Sequence, residues 1–236
     1  QARLVWKALP LAVDLSKEQY AVIAVDLRKH GESLPPENAP ARIKNGKLNK
    51  FDYQAMVQGD LEAVKKFIYS EHQSERLNMR KLGIVATDMS TAIALNWTAL
   101  DWSKKPFDDA STAAARTPRG QDVQAIVLVS PVESISGLVT IDATRYLRTT
   151  GIATLLLYSN KTSSEKRTAD KMYAHLGGEL QDEENKRIHS YGFDLKLSGT
   201  DLIARQPQIQ PAIRKFLSDH VKMHDAPWKD RKSRLQ

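Results

Sequence analysis

The sequence contains no cysteine, which rules out disulfides, thiolate metal sites and cysteine nucleophiles while leaving the compartment open. It has no apolar run approaching the ~20 residues that span a bilayer, and its first residues lack the pattern of a signal peptide. A soluble domain without a membrane span is expected, any targeting segment lies outside these residues, and no localisation follows. Aromatic residues make up only 7%, too few and too scattered to form a stacking platform for bases. The six histidines are dispersed, with neither H-x-x-x-H nor a carboxylate cluster at ligand spacing, so no metal is expected. P-loop and dinucleotide fingerprints are also missing, and no cofactor is expected.

A chain of 236 residues, 41% of them hydrophobic, can bury a large core. No Gly/Ser-rich or Pro-rich linker divides it, which predicts one domain over residues 1–221. The net charge of +7 arises from 35 basic and 28 acidic residues, a balance that raises the question of an anionic partner. The bases are interleaved with acids except at Lys229, Arg231, Lys232 and Arg234. Residues 222–236 therefore read as a basic, flexible, solvated tail, and nucleic acid is not the expected partner.

Ala21–Leu27 (AVIAVDL) is a short, continuous apolar run, the pattern of a parallel strand covered on both faces. Lys81–Thr87, Val123–Ser130 and Ile152–Tyr158 read the same way, and Lys186–Gly192 is a weaker fifth strand. Between them, apolar residues recur at helical spacing over Phe51–Tyr69, Met89–Leu100, Glu165–Leu176 and Gln208–Val221. Leu34–Asn49 and Ser103–Gly120 read as long surface loops, and Gly177-Gly178 as a helix stop. This alternation predicts an α/β fold: a mostly parallel sheet with helices on both faces and site candidates at the carboxyl ends of the strands.

The stretch YAVIAVDLRKHGES, Tyr20–Ser33, resembles the strand and turn of the α/β-hydrolases, written D-x-R-G-H-G-x-S. Asp26, Arg28, His30, Gly31 and Ser33 are in register, with Lys29 where the family has glycine. In that family the histidine serves a structural turn, so His30 is given no chemistry. Farther on, Ala86-Thr87-Asp88-Met89-Ser90 stands where the resemblance places the nucleophile elbow G-x-S-x-G. Small residues two positions either side of the nucleophile relieve the strained turn. Ala86 and Ser90 provide them, and Asp88 replaces serine. Related dehalogenases and epoxide hydrolases use an elbow carboxylate to form an ester intermediate, which needs a histidine base and an orienting acid.

The resemblance places that histidine before Gly199, where Ser198 stands, and the acid after the strand ending at Tyr158, where Thr162 stands. Glu133 and His189 are the available substitutes. The backbone N–H of Met89 would be one oxyanion donor, its partner falling upstream of the helix that begins near Arg3-Leu-Val-Trp6, so the first core strand and oxyanion loop would precede Gln1. The reading is therefore a hydrolase-like domain that is catalytically inactive or impaired. It would keep a pocket near Asp88, Ser130 and Ser198 that binds a small ligand or protein. The alternatives are an active hydrolase of esters, haloalkanes or epoxides, with Asp88 as nucleophile, Glu133 as acid and His189 as base, or a binder of nucleic acid or anionic surfaces through the basic tail.

Overall fold

The computed structural model describes residues 10–34, 37, 47–182 and 186–235. Arg3–Trp6, the segment around Gln1 and most of the Leu34–Asn49 loop lie outside the described residues.

In chain order, helix α1 spans Pro10–Lys17, α2 Lys50–Ala55 and α3 Leu61–Gln73, with a π-helical turn over Met56–Asp60 joining the last two. Strand β1 (Leu82–Thr87) leads into α4 (Met89–Ser103). Strand β2 (Val123–Val129) precedes a small hairpin of β3 (Ser134–Ile135) and β4 (Leu138–Val139), then α5 (Ile141–Arg148). After them come β5 (Ala153–Ser159), α6 (Ser163–Leu176), β6 (Ile188–Phe193), α7 (Gly199–Arg205) and α8 (Ile209–Leu217).

The main sheet has the order β1-β2-β5-β6, every pair parallel. All seven residues of β2 and all seven of β5 are buried, as their unbroken apolar runs predict. Alternate residues of one strand serve opposite cores. Ile126, Leu128 and Leu156 pack with Ile93 and Leu95 of α4 and Met172 and Leu176 of α6. Val127, Val129 and Leu155 face Leu11 and Leu15 of α1, Leu202 of α7 and Ile213 of α8. Each fully buried aliphatic side chain contributes about 1.5–3 kcal/mol, so the two-sided sheet is the main source of cohesion. Gly177 ends α6 with φ +83°, the left-handed cap that glycine accepts without a Cβ penalty.

One predicted strand does not form. Ala21–Leu27 lies alongside β1, but a cavity of ≈ 420 Å³ is lined by both, and among the described residues no backbone hydrogen bond joins the two segments. The turn that follows does form. The amide of Lys29 donates to Ser33 O at 2.8 Å, Ser33 Oγ to Asp26 O at 2.7 Å and the Glu32 amide to Asp26 Oδ2 at 3.1 Å. Arg28 docks this turn onto the π-helical turn, donating from its amide (3.0 Å) and guanidinium (2.5 Å) to Asp60.

The carboxy-terminal stretch, expected to be solvated, is instead anchored. Arg231 is only 4% exposed and donates to both oxygens of buried Asp122 at 2.5 and 3.1 Å. Lys65 of α3 pairs with the same Asp122 at 2.8 Å and with buried Asp101 of α4. Two acids and two bases thus neutralise one another inside the protein, which makes their burial tolerable. Trp228 adds a hydrogen bond from Nε1 to His72 O at 3.0 Å. Among the described residues no helix is long and apolar enough to cross a membrane.

Candidate functional site

The carboxyl end of β1 turns sharply into α4 at Asp88, which adopts φ 49°, ψ −128°. This backbone region is costly for any residue with a Cβ. Its neighbours hold it there. The Thr87 amide donates to Ser90 Oγ at 3.0 Å, and that hydroxyl donates to Thr87 O at 2.6 Å. Thr91 Oγ1 donates to Asp88 O at 2.6 Å and accepts from the Val132 amide at 3.1 Å, tying the elbow to the loop after β2. The elbow geometry expected of Ala86–Ser90 is therefore present with aspartate at its apex.

Two further chain segments meet Asp88. Ser130, at the end of β2, has φ 52° and is buried, and its Oγ accepts from the Gly199 amide at 2.8 Å. Gly199 packs so closely against Asp88 that a Cβ there would collide with the carboxylate. Asp88, Ser130 and Gly199 are thus brought together, whereas Ser198 is an exposed residue whose side chain makes no capping bond to α7. Burial pushes the Asp88 carboxyl above the usual carboxylate range, and the nearby charges of Glu165 and Asp201 push it further. Both acids lie in the first turn of a helix, α6 and α7 respectively.

The replaced acid position, Thr162, starts α6 and sits 3.4 Å by its hydroxyl from Ser159 Oγ. Its neighbour Glu165 accepts from the Ser159 amide at 3.2 Å. The motif Thr-Ser-Ser-Glu165 has the T-x-x-E spacing of a capping box, a signal that could have drawn attention to Glu165. Its carboxylate turns to the strand end instead of capping the helix. Asp201 had no comparable signal.

The two substitute residues are not assembled with Asp88. His189 is level with Leu155, Leu155 with Val127, and Val127 with Val85, so His189 is three strands away and three residues short of the elbow. At ~4.8 Å between strands and ~3.3 Å per residue, the backbones are separated by about 17 Å. Its ring instead neighbours Phe216 and His220 at centroid distances of 5.9 and 6.1 Å. Glu133 is a surface residue paired with Lys171 at 2.9 Å, and that ammonium holds its carboxyl below the usual range. Met89 opens α4 and lines the cavity beside β1, with its amide in the position of an elbow donor. His30 lines the same cavity, its Nδ1 engaged with Arg28 O at 3.0 Å. No group of three or more metal-ligating side chains is gathered among the described residues.

Fold and site together define an α/β protein with a mostly parallel sheet, flanking helices and a strained strand-to-helix elbow. No protein-family model, no curated protein and no solved structure matches this chain.

Proposed function

We propose that this chain is an α/β-hydrolase-type domain without the hydrolytic apparatus, serving as a binding domain for a small ligand or protein. The observation that carries this reading is the company Asp88 keeps. Among the described residues its charged neighbours are the carboxylates of Glu165 and Asp201, and no histidine hydrogen-bonds to it. An elbow carboxylate can attack carbon and form an ester, but releasing that ester requires a base to activate water. Acidic neighbours also favour the protonated, non-nucleophilic form. Loss of such partners costs about three to six orders of magnitude in rate.

The strained elbow itself favours the second reading, an Asp88-dependent hydrolase, because such strain is commonly retained where it serves a site. A panel of p-nitrophenyl acetate, a short haloalkane and a styrene oxide separates the two. The protein and its Asp88→Asn variant should give indistinguishable, background rates. Turnover that the substitution abolishes would overturn the binding-domain reading.

A further inference from the structure

A second cavity, of ≈ 270 Å³, opens near the amino ends of β1 and β2, between α3, the end of α4 and the carboxy-terminal stretch. Asp88 is at the other end of β1, about 20 Å away at ~3.3 Å per residue. The floor of the cavity is built from the buried ion pairs. Lys65 directs its three ammonium hydrogens to Asp101, to Asp122 at 2.8 Å and to Arg119 O at 3.1 Å. Arg231 pairs with Asp122 and reaches Gly120 O at 3.5 Å. Two acids thus neutralise two bases, and the bonds to the carbonyls fix the backbone of Arg119 and Gly120. Gly120 admits no Cβ, which would overlap the Asp101 carbonyl.

The walls above this neutral floor carry a surplus of positive charge. Among the described residues Glu62 is the one acid in the lining, and both its oxygens accept from Lys104 Nζ at 2.7 Å. Lys66, one turn farther along α3, and Arg119 are exposed, and among the described residues neither has a carboxylate partner. The Arg119 guanidinium lies over the Phe107 ring, 5.0 Å from its centroid. Stacking of this kind uses the face of the guanidinium and leaves its in-plane N–H groups free. Two unpaired cations, one of them a fork on a fixed backbone, therefore stand beside the aromatic side chains of Phe107 and Tyr69.

We infer that this cavity is a binding site for a small aryl phosphate monoester, its phosphate held by Arg119 and Lys66 and its ring against Phe107 and Tyr69. The chemistry of the walls selects this class. A phosphate monoester carries a charge of about −1.5 to −2 near neutral pH and three acceptor oxygens, which matches two unpaired cations, whereas a carboxylate leaves one of them without a partner. Guanidinium donates to phosphate in a bidentate fork, and ammonium adds a point charge. The third ammonium hydrogen of Lys104 is a further donor. The volume lies just below the ≈ 300–1,000 Å³ range of ligand pockets and suits a body of one ring. This inference stands whether or not Asp88 performs chemistry.

The test is isothermal titration of the full chain at pH 7.5 and low salt with phenyl phosphate, inorganic phosphate and phenol. Phenyl phosphate should bind saturably and one to one, about fivefold tighter than inorganic phosphate, and phenol should not bind. Lys66 and Arg119 are exposed, so Lys66→Gln and Arg119→Gln should fold with unchanged Tm and each weaken phenyl phosphate roughly tenfold. Phe107→Leu should remove the preference for the aryl ester over inorganic phosphate. Lys232→Gln and Arg234→Gln alter exposed cations outside the cavity and should leave the affinity unchanged, as should Asp88→Asn. Three results would overturn the inference: no saturable binding of phenyl phosphate, equal losses from Arg119→Gln and Arg234→Gln, which would mean a diffuse field and no site, or inorganic phosphate binding as tightly as the aryl ester.

Discussion

Replacing Asp88 by glycine and by alanine should reverse the usual ranking of those two residues. Asp88 is held at φ 49°, ψ −128°, a conformation whose cost for a residue with a Cβ is about 1–3 kcal/mol. Alanine removes the carboxylate and keeps the Cβ, so the backbone strain survives; glycine removes both. The greater freedom of glycine in the unfolded chain subtracts about 0.5–1 kcal/mol from its advantage. The glycine variant should therefore exceed the alanine variant by about 1–2 kcal/mol, or about 2–8 °C in Tm for a domain of this size. In a regular helix or strand the order would be the opposite. Urea unfolding at pH 7, with both variants fitted to a common slope, measures the difference directly. An alanine variant equal to or more stable than the glycine variant would refute the strained elbow, and with it the main structural link between this chain and the elbow motif.

Four other outcomes follow from named contacts. Gly199→Ala introduces a methyl group that collides with the Asp88 carboxylate at φ +54°; part of its cost, about 1 kcal/mol, should vanish in an Asp88→Gly background, and strictly additive unfolding energies would contradict the contact. Because the folded Asp88 carboxyl is raised above its ordinary value of 3.8, its contribution is fully present below that pH and is lost as pH rises through the folded value. Asp88→Asn should therefore gain stability relative to the parent between pH 3.5 and 7, and a pH-independent difference would count against the shift. His220 is lowered from 6.5 to about 4, chiefly by burial and then by Arg187. Its contribution is present above pH 6.5 and lost as pH falls towards about 4, so His220→Gln should flatten that limb of the stability profile in thermal melts. Arg231→Met strands part of the buried Asp122 charge and should cost about 3 kcal/mol, read as a fall in the urea midpoint; an unchanged midpoint would mean the carboxy-terminal stretch is not anchored.

How far the sequence could be read depended on whether its signal was local. The apolar runs at β1, β2, β5 and β6 and the helical spacing of α4 and α6 are local, and they mark these elements to within three residues at each end. The elbow was legible for the same reason, since Ala86 and Ser90 flank Asp88 directly. The acids around Asp88 were not, because Glu165 and Asp201 arrive from separate helices and only the packing of the sheet ends brings them near. The same limit explains the carboxy-terminal stretch. A run of lysines and arginines looks solvated when charges are counted along the chain, yet Arg231 is buried because Asp101 and Asp122 are buried far upstream and require cations.

Ala21–Leu27 is the instructive case, because its local signal and its structure differ without either being in conflict with physical chemistry. An unbroken β-branched run reports that a segment can be covered on both faces; it says nothing about which backbone lies beside it. Here the covering helices are present and β1 is in place, but a cavity separates it from Ala21–Leu27. The pattern in Ala21–Leu27 therefore reports burial between helices and leaves strand pairing undetermined. Among the described residues the backbone of Ala21–Val25 makes no such pairing, while Asp26 and Leu27 accept from Ser33 and His30 in the turn that follows, so the segment's order comes from its turn and its covering helices and not from a ladder.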